Sequence, residues 1–425
     1  MRRAGRAAFT LIEILVALSA GILVSMAAFA MSKNATAFFQ NEARISSAQL
    51  ALTLGLNRIT ADLTRASFLS TPNAKVDPMV CRDPSWNTAQ GLNSLAGVTI
   101  AQGAAPVATS QAGMNGITPD QLYIGGSLDA SETFTVQCLL QGAGGAPALQ
   151  LQTQQFDGAM ARVMASLGPT EPLQSRLSNI FVAGRYVQIL DPATGYKVFG
   201  ALATASPVTV VSGVATVQLQ ATPALPMKPA SPCGLLAPPQ CGGGLLVSVV
   251  SRVLYDVRSL QGVAGSPYAA LVATPPGVAA QSGDAGRTEL VRVEIDATNN
   301  ERANSLELVS EYAVDLRLGI TAVTTKVVSD NYNPTVKTYE IGDSNIYSIA
   351  GDAAGGTSTP QLIRAVQVRL AVRTRAPDRE TDLPVGFDGR RLHYRVLTAG
   401  RPQYARVRTA YANVSLPNQG GFSLW

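Results

Sequence analysis

The sequence predicts an α+β protein: a long N-terminal α-helix, first membrane-spanning and then amphipathic, packed on a large antiparallel β-rich globular domain with long loops. Three observations predict it. Phe9 to Met31 reads FTLIEILVALSAGILVSMAAFAM, an apolar run with one charge, Glu13. No proline then occurs until Pro72, and apolar residues recur at helical spacing across that stretch. Beyond Pro72 the texture changes to β-branched, alternating runs divided by stretches rich in Gly, Pro and Ala. These features divide the chain into a basic leader at 1–8, a helix at 9–70 with residues 9–31 in the membrane, and an exported domain at 71–425.

The helix comes first. At ~1.5 Å per residue, Phe9–Met31 covers about 34 Å, enough for a bilayer core of about 30 Å. It exceeds the apolar region of an ordinary signal peptide, roughly 7–15 residues. Arg2, Arg3 and Arg6 precede it and Lys33 follows. The positive-inside rule then leaves the N-terminus in the cytoplasm and the bulk of the chain exported. After Lys33 the pattern is amphipathic. Ile45, Ala48, Leu52, Leu56, Ile59 and Leu63 form one stripe; Asn57, Arg58, Asp62 and Arg65 fall on the other face. The helix is expected to run from Phe9 to about Phe68, with Gly21 and Gly55 as weak points where it bends or melts. Glu13 stands out, because a carboxylate in a membrane helix costs on the order of 3 kcal/mol on insertion scales and calls for a partner or a function.

The residues GRAAFTLIEILVAL resemble the class III signal of type IV pilins and of type II secretion pseudopilins. The resemblance implies cleavage by a prepilin peptidase between Ala8 and Phe9 and N-methylation of Phe9. It also implies an assembly salt bridge from Glu13 to the N-terminal amine of a neighbouring subunit. Two opposite charges in an apolar filament core are each costly alone and tolerable together. The family usually has glycine before the cut; here Ala8 takes that place, with Gly5 three residues earlier.

A second resemblance follows segments of the exported part. RITADLTRAS, PDQLYIGG, FVAGRYVQILD, ELVSEYAVDLRLGIT, IRAVQVRLAVRTRAPD and YARVRTAYANVSLPN are similar in order to the PilW family of minor pilins. That family implies a low-copy subunit that primes a type IV pilus and sits at its tip. Its partners would be other minor pilins, the major pilin, the prepilin peptidase and the inner-membrane assembly machinery. The implied location is a single-pass protein of the inner membrane with its bulk periplasmic, and later the extracellular pilus. Two alternatives share parts of the pattern: a J-type minor pseudopilin of type II secretion, and a membrane-tethered adhesin with a pilin-like anchor.

In the exported domain the strand candidates are LYIG (122–125), TFTVQCLL (133–140), ALQLQ (148–152), YVQIL (186–190), VTVV with VATVQLQ (208–220) and LLVSVVSRVLYDV (245–257). ELVRVEI (289–295), YAVDLRLGIT (312–321), AVQVRLAVRT (365–374) and YARVRTAYANVSL (404–416) complete them. In AVQVRLAVRT, valine and leucine alternate with Gln367, Arg369 and Arg373, as in a half-buried antiparallel strand with solvated arginines. Residues 91–118, 222–244 and 325–360 read as loops.

Four cysteines, Cys81, Cys138, Cys233 and Cys241, suggest two disulfides in an exported domain, with three pairings open. Cys233 and Cys241 flank a short loop, so a local bridge between them would leave Cys81 with Cys138. Zinc competes poorly, since the chain has no C-x-x-C pair and one histidine.

Composition points away from catalysis and from nucleic acid. The net charge of +5 falls to +2 without the leader arginines, with 30 basic residues against 28 acidic. His393 lies in the strand-like RLHYRV, and no G-x-S-x-G turn, Walker sequence, H-E-x-x-H or EF-hand loop occurs. No enzyme activity, cofactor, metal or nucleic-acid partner is expected. DATNNE (296–301) and SDNYN (329–333) read as turns before they read as calcium loops. The interleaved Arg and Tyr residues near the C-terminus read as ordinary strand decoration.

Overall fold

The structure, a computed structural model, describes residues 10–82, 90–101, 115–142, 145–153, 158–261, 267–268, 287–324, 335–352, 357–379, 381–383, 385–386, 390–396 and 403–420. The leader, Ala8, Phe9 and SDNYN lie outside them.

One unbroken helix, α1 (Leu11–Thr64), opens the fold. Thr10 caps it, and Glu13 completes a capping box with Thr10. The helix passes through Gly21 and Gly55 without a break. Gly55 is in fact a packing position: a Cβ there would lie 2.9 Å from Leu370 Cδ2 and 3.1 Å from Ser310 Cβ. At its C-terminal end the chain turns sideways onto a strand edge. Ser67 N–H donates to the Gly125 carbonyl, and Ser127 N–H donates to the Phe68 carbonyl, each at 2.8 Å. A Cβ on Gly126 would meet the Arg65 carbonyl oxygen at 2.6 Å, so glycine is what lets the two backbones meet.

After α1 come α2 (Gln90–Asn93), β1 (Val98–Ala101), β2 (Gln121–Gly126), β3 (Thr133–Gln141) and β4 (Pro147–Leu151). Two short helices follow, α3 (Gly158–Ala165) and α4 (Leu173–Ile180). Then run β5 (Tyr186–Leu190), β6 (Lys197–Ala201), β7 (Val208–Val211), β8 (Val214–Gln218), β9 (Gln240–Cys241), β10 (Leu246–Arg258), β11 (Glu289–Ile295) and β12 (Glu307–Ser310). The last part holds β13 (Ala313–Val323), β14 (Val336–Tyr339), α5 (Asn345–Ala350), β15 (Ile363–Arg373), β16 (His393–Val396), β17 (Gln403–Ser415) and α6 (Pro417–Gly420). The segments 91–118, 222–244 and 325–360, expected as loops, thus carry β1, β9, β14 and α5. These are short elements held by pairing or packing partners, and a four-residue strand leaves little periodicity to read.

β10 organises the larger, twelve-stranded sheet. Its first part, Leu246–Val250, pairs with β5, and Leu246–Ser248 also pairs with β3. Its second part pairs with β2 on one side and β11 on the other. All but its two end residues are buried, so its sequence is nearly continuous in apolar and small residues rather than alternating. The smaller sheet has the order β14-β13-β15-β17-β16 and is antiparallel throughout. Two main cores result. One joins α1 (Ala48, Leu52, Ile59, Leu63) to β1, β2, the second part of β10 and the small sheet. The other lies beneath β3 to β8 with α3 and α4.

Candidate functional site

α1 divides into two halves with opposite surroundings. Every residue from Leu11 to Gln40 is exposed, and Leu11, Phe29 and Phe39 keep 81, 74 and 68% of their surface. An 18-residue window here has a mean hydropathy of 2.4, so by length and composition the helix can cross a membrane. At its start the Glu13 carboxylate accepts the Thr10 amide at 2.9 Å and the Thr10 hydroxyl at 3.0 Å. Further along, Gly21 makes a notch between Leu18, Ile22, Ser25, Met26 and Phe29. The carboxylate is thereby satisfied locally, on an otherwise apolar rod.

From Ile45 to Leu63 the same helix is seated in the protein. The apolar stripe read from the sequence is the buried one, with Ile59 and Leu63 wholly covered. The polar stripe is only partly solvated: Asn57 and Arg65 are exposed, whereas Asp62 is not. Asp62 is 2% exposed. Its Oδ2 accepts the Tyr255 hydroxyl at 2.7 Å and Arg292 Nε at 2.8 Å. Burial, and then the Asp62 charge, push the Tyr255 hydroxyl far above its ordinary pKa, which keeps it a donor. From Arg292 the chain of charges runs on. Arg292 Nη2 donates to Asp129 at 3.0 Å, Asp129 accepts Arg185 Nη2 at 2.8 Å, and Arg185 holds Glu294 with both Nε and Nη2. Arg302 grips Glu294 from another side. Arg58 on α1 donates to Glu307, which also lies 3.6 Å from Arg292. Burial opposes ionisation of Glu294, but the hydrogen bonds and charges of Arg185 and Arg302 outweigh it and hold its pKa at about 2. This seam fixes the direction in which the bare half of α1 leaves the domain. Sequence reading missed it, although Asp62 sits three residues after Ile59 and one before Leu63, on the edge of the apolar stripe.

The disulfides are Cys81–Cys233 and Cys138–Cys241, with Cα separations of 5.5 and 4.1 Å. The local Cys233–Cys241 bridge is therefore incorrect. β9 pairs with β3 and sets Cys241 directly opposite Cys138, which leaves Cys233 for Cys81. The bridges close separations of 152 and 103 residues and belong to an oxidising, non-cytoplasmic setting.

The other singled-out residues are structural in their surroundings. His393 is buried opposite Arg406, with Nδ1 lacking a hydrogen-bond partner. DATNNE is a turn in which Asp296 Oδ1 accepts the amides of Thr298 and Asn300. Among the described residues no group of three His, Cys, Asp or Glu is placed to hold a metal ion. Arg373, expected as solvated, and Tyr394, expected as strand decoration, are both buried at 1 and 2% exposure, and their side chains lie 5.7 Å apart, guanidinium to ring centre. Comparison with protein-family models, curated proteins and solved structures found no match for this chain.

Proposed function

We propose that this chain is a pilin-like subunit, anchored in the inner membrane by α1 and then drawn into a type IV pilus as a low-copy minor pilin. One observation supports this most: a single helix whose first half is bare and apolar, with one carboxylate at its start, and whose second half is built into the core of the exported domain. A rod of this kind is not stable in water and requires either lipid or neighbouring helices around it.

In the separate subunit Thr10 solvates the Glu13 carboxylate. After cleavage between Ala8 and Phe9, the amine of a neighbouring subunit replaces Thr10 as its partner. An ammonium is the stronger partner in an apolar filament core, so this exchange favours assembly and fixes the stagger between subunits. The broad head at residues 71–425 cannot repeat closely around a narrow shaft, which favours a tip position. The subunit acts by assembly, without catalysis or cofactor.

Mass spectrometry of the mature protein tests this reading. The expected N-terminus is methylated Phe9. A protein that keeps Met1 in cells with a working processing enzyme overturns it. Glu13→Ala is expected to insert into the membrane normally and to enter filaments at least tenfold less; undiminished entry sinks the charge-pairing step.

A further inference from the structure

The end of the domain from which the bare half of α1 emerges differs in charge from the rest of the chain. The close of β17 and the start of β15 lie at the opposite end, beside the C-terminus of α1. There Asn418 Nδ2 donates to the Thr64 carbonyl at 3.1 Å, and Leu416 N–H donates to the Arg364 carbonyl at 2.8 Å. Further along, Leu370 of β15 meets α1 at Gly55. β15 therefore runs antiparallel to α1, and its last residue, Arg373, lies towards Ile45, the first buried residue of the helix. β17 begins on that side too. Its Ala410 pairs with Leu370, and from there back to Gln403 is about 23 Å of strand, against about 15 Å of helix from Gly55 back to Ile45. The Gln403 end of the sheet thus reaches the level at which α1 leaves the domain.

This end is basic. Residues 373–408 contain nine arginines, no lysine and four acids, whereas the rest of the chain after the leader has 21 basic residues against 24 acidic. Backbone hydrogen bonds gather the described part of this stretch at the Gln403 end. Tyr404 N–H donates to the Arg379 carbonyl, Thr374 N–H to the Arg406 carbonyl and Val407 N–H to the Leu392 carbonyl. Arg375, Arg379, Arg390 and Arg395 are exposed. Asp378 pairs with Arg406, and Glu289 and Glu311, from neighbouring segments, face Arg287. Such internal pairs do not cancel the excess, because the potential outside a surface follows its net charge. Leu383, Val385 and Leu392 add exposed apolar side chains to the same stretch.

α1 sets how far this end stands from a bilayer. Lys33 lies ~30 Å along the helix from Glu13, the thickness of the hydrocarbon core. Phe38 and Phe39 follow within another ~9 Å, at headgroup depth. Both are exposed, edge to face, with 6.1 Å between ring centres. Ile45 comes ~9 Å beyond Phe39, about one Debye length at physiological salt.

We propose that this basic end of the small sheet docks on the anionic phospholipid headgroups of the membrane that α1 crosses. A guanidinium fork meets two oxygens of a phosphate, and the exposed apolar side chains rest in the headgroup layer. Docking of this kind holds the domain against the bilayer while the subunit is anchored. The inference rests on the anchored reading of α1 proposed above.

β17 is the ruler for the test. Gln403→Cys and Ser415→Cys, at its exposed ends and about 40 Å apart along the strand, are labelled one at a time in the full chain, whose native cysteines are held in disulfides. Each is reconstituted in vesicles of phosphatidylcholine, alone or with phosphatidylglycerol, that carry an acceptor dye on a headgroup. Energy transfer from position 403 is expected to be about twofold greater with phosphatidylglycerol at low salt and to lose that gain in high salt, with little change from position 415. Arg379→Gln combined with Arg395→Gln should remove at least half of the gain, with circular dichroism and the melting temperature checking that the variant is folded. Equal transfer in the two lipids overturns the proposal and leaves the basic end to an acidic protein partner. A gain that survives high salt, or that the folded variant keeps in full, overturns it as well. A chain that does not float with vesicles of either kind overturns the anchored reading itself, and this inference with it.

Discussion

Residues 11–40 and 45–63 belong to one helix with one backbone geometry, yet they face opposite surroundings. The first part is exposed on all sides, and as far as Met31 it carries a single charge, Glu13, on an otherwise apolar surface. The second half is amphipathic, and both of its stripes are used: the apolar one enters the core, and Asp62 of the polar one enters a buried seam of charge. Helix-forming ability does not distinguish them. What differs is the availability of a partner, and a helix in a protein owes its stability mainly to the face it buries. The two glycines repeat the contrast. Gly55 admits Leu370 against the helix backbone, whereas nothing lies within 4 Å of a Cβ built on Gly21.

That contrast can be broken most severely at Asp62. Asp62→Ala leaves Tyr255 and Arg292 short of a buried partner and should cost about 3–5 kcal/mol of domain stability. Urea unfolding of the full chain in non-ionic detergent measures it; a loss under 1 kcal/mol would mean the seam is dispensable. Next comes Leu63→Ala, expected to cost about 2–5 kcal/mol, as large-to-small changes in a covered core do. Leu23→Ala, 68% exposed, is the matched control and should leave the unfolding of the domain unchanged.

Acid sharpens the comparison at somewhat smaller cost. The folded pKa of Glu294, about 2, lies below the ordinary 4.5. Its contribution is therefore complete above about pH 4.5 and is lost as pH falls towards 2, on the order of 3 kcal/mol in all. In urea titrations at stepped pH, Glu294→Gln should be less stable than the parent at pH 7, with the gap closing towards pH 2. A gap that stays constant with pH would show that charge is not the cause. The smallest effects belong to the glycines. Gly55→Ala must displace Leu370 and Ser310, at about 1–3 kcal/mol for overpacking, against ~1 kcal/mol regained in helix propensity. Gly21→Ala meets no atom and should leave the domain's melting temperature unchanged or slightly raised.

Much of the architecture was legible in the sequence. Five of the six residues of the expected apolar stripe of α1 are buried and Leu56 is half-buried; Gly55 and Asp62 are buried in addition. YVQIL, VTVV and ELVRVEI are strands at the expected residues, because alternation and β-branching are properties of a short window. The misses share one cause. β1, β9 and β14 are too short to carry a period, and each exists because a neighbour pairs with it. Arg369 and Arg373 alternate as solvated residues would, yet Arg373 is buried beside Tyr394 and the Arg369 side chain keeps only 12% of its surface. For the candidate site, Glu13 and the apolar run could be read directly, whereas the seat beneath them could not.

By itself, then, the sequence determined the long helix, its apolar first half, the edges of most strands and the presence of four cysteines. The tertiary structure alone decided which cysteines join, that Asp62 meets Arg292, that Gly55 is a contact, and that two arginines face each other across β13 and β15. The physical reason is range. Periodicity and composition act over a few residues along the chain, while pairing and burial depend on segments brought together from far apart, here by 230 positions between Asp62 and Arg292 and by 249 between Arg58 and Glu307.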